Sequence, residues 1–283
     1  MNNKAETHSG RRLSVPDIFC NAIVCFFAVL NIFPLYWMFI SAFKTSAEVI
    51  ALPPTLYPHQ PTLQNFIDAF QKTMALRWLF NSLFVSAASS ALIVACSALA
   101  AYAFSKLEFF GRDFWFYLLI GTLMIPKEIL VVPMFKIVKS FNWMDSYPGL
   151  IVPGAATAIG VFMLKQFFAG IPDALREAAK IDGCSELSIF LRIILPLAKA
   201  GIAALIILQF VTVWNDYLWQ LVIAQTTPMQ TVLVGFASML SDGNPNFAYK
   251  YAGAAVSAIP MLIIFFAFQK NFTRGITIGG VKG

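Results

Sequence analysis

The 283-residue sequence predicts an all-α polytopic membrane protein with six transmembrane helices. Composition is the first reason, because 59% of the residues are hydrophobic and 12% are charged, whereas soluble domains carry about 25% charged residues. The second reason is a series of long stretches without a charged residue. A helix of roughly 20 apolar residues crosses about 30 Å of hydrocarbon with its backbone hydrogen bonds satisfied internally. The bilayer is therefore the expected solvent of most of the chain.

Six such segments follow one another along the chain. Five are apolar runs at 18–43, 78–105, 146–164, 202–215 (continuing past Asp216 to 241) and 251–269. The third span in chain order begins at Phe114 and continues beyond Lys127 and Glu128 to Phe135. We predict a membrane domain over residues 18–270, with a tail at 1–17 and another at 271–283.

The distribution of basic residues predicts the orientation. With six spans, both termini lie on one side of the membrane. That side holds thirteen of the 20 lysines and arginines, and the other side holds the remaining seven. By the positive-inside rule, both termini are predicted to be cytoplasmic. Residues 44–77 then form an external loop, in which "TLQNFIDAF" is either a short helix on the membrane surface or a linker.

A charged stretch between the fourth and fifth spans departs from this apolar background. Pro172 and Asp173 suit the first turn of a helix, where a missing N–H costs nothing and the helix dipole favours a carboxylate. Gly183 suits its end. Leu175, Ala178 and Ala179 are predicted to share one face of this helix, which would allow close approach of a partner. A second helix follows and is bent by Pro196. The alternative is a solvated loop that only joins two spans.

The spacing within this stretch argues against a simple linker. Glu177-Ala178-Ala179, then Gly183, then Ile193, Leu195 and Pro196 resemble the EAA loop of ABC importer permeases at every fixed position. Further segments resemble the carbohydrate-uptake branch of that family, specifically the second, six-span permease of maltose-type systems. These segments are "SAFKTSAEV", "TLQNFIDAF", "VVPMFKI", "FMLKQFFAGIPDALREAAKIDG", "WNDYLW" and "RGITIGGVKG".

The resemblance implies how the chain is assembled and where it contacts its partners. Such permeases pair with a second related permease over two ATPase subunits in the bacterial cytoplasmic (inner) membrane, and an external binding protein delivers the solute. The EAA loop, residues 169–198, would place a coupling helix in a cleft of one ATPase. The implied coupling residues are Asp173, Glu177, Ala178, Ala179, Asp182, Gly183 and Phe190. The tail residues Gly279, Gly280 and Lys282 are implied to contact the ATPase, the alternative being a frayed terminus.

The sequence predicts no enzyme active site in this chain. A phosphate-binding loop of the form G-x-x-x-x-G-K-[ST] does not occur, so we expect ATP and magnesium to bind the partner ATPase and no cofactor to bind here. His8 and His59 have no metal-ligand spacing around them, and the four cysteines suggest neither a disulfide framework nor a metal site. No aromatic-basic module for nucleic acid is present.

Polar residues within spans are candidates for the substrate path, because they usually face protein or water. They are Asn81, Lys127, Glu128, Trp214, Asn215 and Asp216. Within "WNDYLW", aromatic faces and polar groups suit a sugar, although an aromatic girdle at the membrane interface is the alternative. On a continuous helix from Phe114, Lys127 would lie about 20 Å along the span. It would then face the partner permease or the substrate path, or else extend its amine to the outer interface.

These observations together predict half of the translocation path of a binding-protein-dependent carbohydrate importer, coupled to a cytoplasmic ATPase. The alternative solutes are a glycerol phosphate or a polyol. A passive channel is disfavoured because it has no use for the EAA pattern. The sequence does not identify the sugar.

Overall fold

A computed structural model describes the backbone of residues 15–241 and 246–280, and the side chains of 17–239 and 246–268. Every regular element within these ranges is helical, which confirms the all-α prediction. The α-helices are α1 Val15–Ala42, α2 Ser46–Val49, α3 Gln64–Gln71, α4 Ala75–Lys106, α5 Arg112–Gly121, α6 Val131–Ser140, α7 Tyr147–Ile151, α8 Ala158–Ala169, α9 Asp173–Ile181, α10 Glu186–Ile189, α11 Leu195–Leu197, α12 Lys199–Trp214, α13 Tyr217–Ile223, α14 Val232–Ser241 and α15 Phe247–Gly280.

Length and hydropathy identify the membrane-spanning helices. Among the described residues, three helices are long and apolar enough to cross a membrane alone, at Asp17–Ala42, Ala75–Lys106 and Phe247–Phe268. Three further helix pairs pass the same test but are bent, at Arg112–Met124 with Lys127–Ser140, Tyr147–Gly154 with Ala158–Ala169, and Glu186–Leu197 with Lys199–Trp214. The predicted number of six spans is reached when each bent pair counts as one span.

The third span is not the continuous helix that the sequence suggested. Its two halves meet at an angle of 93°, and the break lies at Ile125, which has an extended backbone before Pro126. Proline lacks an N–H and disfavours helical geometry in the residue before it. A distance measured along one straight helix therefore does not locate Lys127.

The predicted fifth span also needs correction. The apolar run does not continue as one helix past Asp216 to 241, because α12 ends at Trp214 and α13 begins at Tyr217. The Asp216 carboxylate accepts a hydrogen bond from the Trp219 N–H, which caps α13 as a separate helix. The bend before α12 is 79° and lies at Ala198, two residues beyond the proline that was predicted to cause it.

One compact unit comprises residues 67–241 together with the part of α15 from Val256 onward. Within it α4 packs along α8 and α12. Small side chains permit this close approach, since Gly160 of α8 lies directly against Ser97 of α4. Buried residues around Leu164, Phe168 and Ile194 form a hydrophobic core within this unit. This packing supports the segment that carries α9.

The other unit comprises residues 15–66 and 246–255. Its connecting segment is held by buried polar contacts: Lys44 Nζ donates to the Thr55 carbonyl at 2.5 Å, and the Asn65 amide donates to the Ala42 and Lys44 carbonyls at 2.8 Å. The Glu48 carboxylate accepts from the His59 backbone N–H at 2.8 Å. That hydrogen bond is the main reason why the pKa of Glu48 is lowered. The segment "TLQNFIDAF" forms the short helix α3, and its position on the membrane surface stays a prediction.

Candidate functional site

The predicted coupling helix is α9, which spans nine residues from Asp173 to Ile181. The sequence predicts Pro172 in the first turn of this helix, but Pro172 occupies the N-cap position, one residue before that turn. At the other end Gly183 has φ +79°, a left-handed conformation that strains any residue with a Cβ. Its N–H donates to the Lys180 carbonyl, and the next N–H, of Cys184, donates to the Ala179 carbonyl at 2.9 Å. Gly183 therefore ends the helix, as predicted, through a backbone turn.

The apolar face of α9 differs from the predicted one. Ala179 is buried in the core beside Ile189 and Phe190, whereas Leu175 and Ala178 are exposed. Ile181 is 87% exposed. The helix thus carries an inward side that rests on the protein and an outward side of Leu175, Ala178 and Ile181, with exposed Glu177 and Asp182 nearby. Apolar side chains that are exposed together on one side of a helix outside a predicted span suit a protein contact surface.

A buried lysine on α4 binds the start of α9, a contact that the sequence did not reveal. Lys106 is in the last turn of α4, and its side chain is 2% exposed. Its Nζ donates to Asp173 Oδ1 and to the Ile171 carbonyl, both at 2.6 Å. The hydrogen bond from Lys106 is the main reason why the pKa of Asp173 is lowered. Because that pKa lies below the ordinary value, the stabilisation is present at neutral pH and is lost as the pH falls through the lowered pKa.

A second polar cluster surrounds the Glu186 carboxylate. Arg176 of α9 donates to it at 2.5 and 3.2 Å, and Lys180 Nζ lies 2.8 Å from Oε1. The hydroxyl of Tyr102 on α4 donates to Oε2 at 2.5 Å. The Tyr102 ring packs on Phe190, with the ring centroids 5.1 Å apart. Phe190, which was predicted to couple to the ATPase, is thus buried beneath α9.

The tail residues with a predicted ATPase contact lie at the end of the described chain. Gly279 and Gly280 are the last residues of α15. Lys282 lies outside the described residues. Their contact with an ATPase stays a prediction.

Two of the predicted substrate-path residues are internal. Asn81 is fully buried, its amide donates to the Pro228 and Gln230 carbonyls at 2.8 Å, and its oxygen accepts from the Tyr147 hydroxyl. Trp214 is 1% exposed and stacks on Phe210 at 5.9 Å. The Asn81 contacts connect α4 to neighbouring segments and occupy the polar atoms of Asn81, whereas the Trp214–Phe210 stack lies within α12.

The other four predicted path residues lie at helix breaks. Lys127 and Glu128 follow the break in the third span and are exposed. Asn215 and Asp216 form the break between α12 and α13. Lys127 Nζ lies 3.8 Å from Asp216 Oδ2, so the fold brings the two breaks together. We name these four residues the polar bend.

The described residues contain no group of three or more His, Cys, Asp or Glu side chains placed to hold a metal ion. The candidate sites described above consist of exposed helix faces and helix breaks.

Comparisons with a family model, with related sequences and with a solved structure agree over most of the chain. The family described as "Binding-protein-dependent transport system inner membrane component" matches residues 93–278. The arabinooligosaccharides transport system permease protein AraQ of Halalkalibacterium halodurans is 36% identical over 261 residues, which cover 91% of this chain and 94% of the relative. The sn-glycerol-3-phosphate transport system permease protein UgpE of Yersinia enterocolitica is 34% identical over 268 residues, which cover 92% and 95%.

A solved structure shows the same fold. It is a bacterial ABC transporter involved in the import of the acidic polysaccharide alginate, and one of its chains aligns with a TM-score of 0.82 at 20% identity. The alignment covers 94% of this chain and 99% of that one. Together with the family match, it identifies the bent helix pairs as parts of an ABC permease fold. The chain belongs to the family of binding-protein-dependent transport system inner membrane components, the permeases of ABC importers.

Proposed function

We propose that this inner-membrane permease serves a carbohydrate importer, in which it forms half of the translocation path and couples to a cytoplasmic ATPase. The observation that carries the coupling role is α9, a short helix with a matched EAA pattern and an exposed apolar side. Relatives named for arabinooligosaccharides support a sugar as the solute. The chain itself is not an enzyme in this proposal.

The charge of the polar bend favours a neutral solute over the glycerol phosphate named in other relatives. Lys127 carries one positive charge, and Glu128 and Asp216 carry two negative charges, so the three sum to minus one. Lys127 is already paired with Asp216. A phosphate is recognised by an excess of positive charge or by free N–H donors, whereas sugar hydroxyls suit mixed donors and acceptors.

The proposed assembly follows the family arrangement. A second related permease completes the path, two ATPase subunits bind ATP and magnesium, and an external binding protein delivers the solute. Both termini and α9 would be cytoplasmic, as the distribution of lysine and arginine predicts. Glu177, Asp182 and the outward side of α9 would contact one ATPase. The tail with Gly279, Gly280 and Lys282 would contact the same interface.

Reconstitution of the full complex tests this function. Proteoliposomes would contain both permeases and the ATPases, with ATP inside and the binding protein outside. Labelled arabino-oligosaccharides, other oligosaccharides and glycerol 3-phosphate would be offered separately. We expect uptake of a sugar that requires both ATP hydrolysis and the binding protein. Uptake of glycerol 3-phosphate alone would contradict the carbohydrate assignment, and uptake without ATP would contradict the importer.

The polar bend makes a further prediction about solute recognition. We expect Lys127→Met and Asp216→Asn to raise the KM for uptake about tenfold, because a charge-assisted hydrogen bond to the solute would be lost. Asparagine at 216 retains the capping oxygen of α13. Lys136→Met, at an exposed position on α6, is the matched control. If the amine of Lys127 only extends to the membrane interface, uptake in Lys127→Met will equal that of the control.

A further inference from the structure

The coupling helix is weakly attached to the protein by apolar packing. All nine residues of α9 are described, and Ala179 is the one that is buried. A single buried methyl group contributes little to holding a helix in place. Polar contacts must therefore supply most of the attachment between α9 and the helices beneath it.

Those polar contacts converge on one face of α4. Tyr102 and Lys106 are four residues apart, so their side chains lie one above the other. Lys106 binds Asp173 at the start of α9, while Tyr102 binds Glu186, which in turn holds Arg176 one turn farther along α9. The helix is thus tied to α4 at two points, and two points fix both its position and its direction.

Burial makes the contact difficult to break. The side chain of Lys106 is 2% exposed, and Tyr102 is 5% exposed. A buried ammonium group separated from its acceptors is strongly unfavourable. Movement of α9 away from α4 would take the Asp173 carboxylate from the buried Lys106 ammonium and leave it the neutral Ile171 carbonyl, so the two helices are expected to move together.

We propose that Tyr102, Lys106, Asp173, Arg176 and Glu186 form an α4 clamp, a set of positioning residues that passes the movement of α9 directly to α4. α4 packs along α8 and α12, so a displacement of α9 reaches three spans at once. Without the clamp, only the chain segments before and after α9 would connect its movement to the spans. The inference rests on the proposed function, because an ATPase must deliver the movement.

The test uses the reconstituted complex and two variants. Lys106→Met removes the buried charge, and Asp173→Asn removes the negative charge of its partner but keeps an acceptor oxygen for the ammonium, at a position whose side chain is 68% exposed. We expect ATP hydrolysis to continue while uptake of labelled arabino-oligosaccharides per ATP falls about fivefold or more. The double variant is expected to be no worse than Lys106→Met, because both changes break one contact. Lys199→Met, at an exposed lysine outside the clamp, should match wild type.

A second measurement does not depend on the transported solute. Nitroxide labels at Leu99→Cys on α4 and at the native Cys184, whose N–H bonds the last turn of α9, report the distance between the helices in a background with Cys20, Cys25 and Cys96 replaced by Ser. Both positions are exposed. We expect one narrow distance distribution, unchanged between nucleotide-free and vanadate-trapped states, and a broad, nucleotide-dependent one in Lys106→Met.

Several outcomes would overturn the clamp. Wild-type uptake per ATP in both single variants would do so. A lower yield of assembled complex whose uptake per ATP is normal would also contradict the clamp. Additive losses in the double variant would show that Asp173 acts on its own. A narrow distance distribution in Lys106→Met would also contradict the inference. If no ATPase binds the wild-type permeases, the proposed function fails instead.

Discussion

A Glu177→Lys, Gly183→Val double variant is expected to insert normally and to lose at least about 90% of transport. Glu177 is exposed on α9, so charge reversal acts on the docking partner and leaves the fold intact. Gly183 acts through its backbone, because φ is +79° and a residue with a Cβ costs about 1 to 2 kcal/mol there. A β-branched side chain is especially unsuited to this conformation. The end of α9 would then point away from the ATPase cleft in which we propose that it docks.

Two assays check this expectation. Co-purification measures how much ATPase remains bound to the permeases, and uptake into proteoliposomes measures transport. Glu108→Lys makes the same charge reversal at an exposed position just beyond α4 and serves as the control. Normal transport by the double variant would rule out α9 as the docking element.

A Gly149→Ala variant is expected to be strongly destabilised. A Cβ at this position would lie 2.1 Å from the Trp143 carbonyl oxygen, a backbone atom that cannot rotate away. The segment that leads from Trp143 into α7 is also held by Ser146, whose hydroxyl donates to that carbonyl, and by Trp219, whose ring N–H donates to the Gly149 carbonyl. Overpacking of this kind costs about 3 kcal/mol.

The thermal unfolding midpoint of the purified protein in detergent measures this loss. Gly154→Ala is a matched control, because it makes the same change in the same bent span at a position with nothing within 4 Å of the added Cβ. We expect the control to unfold at the wild-type temperature. Equal midpoints for the two variants would show that the segment from Trp143 into α7 relaxes without cost.

Hydropathy and spacing were enough to predict most of the architecture. The absence of charge over some twenty residues requires a helix in lipid, because no other single segment pairs all of its backbone groups. Local rules also placed the end of α9 at Gly183, since only glycine adopts φ +79° without strain. These features depend on residues close together in the chain, and so the sequence reveals them.

Contacts between distant residues could not be predicted in this way. Lys106 and Asp173 are 67 positions apart, and the lysine by itself resembles any basic residue at the end of a span. Lys127 and Asp216 meet because two helix breaks fold together, and hydropathy does not show the angle of a break. Ala179 is buried while Ala178 is exposed, because packing against neighbouring helices determines which side of α9 is covered.

The sequence alone therefore determined the helical membrane fold, its family and the bounds of α9, the predicted coupling helix, because solvent and backbone geometry act locally. The tertiary structure decided which charges are paired, which helices bend and which side of α9 is exposed. Those properties depend on which side chains the folded chain brings into contact. Such contacts join residues far apart in the sequence, so no local pattern encodes them.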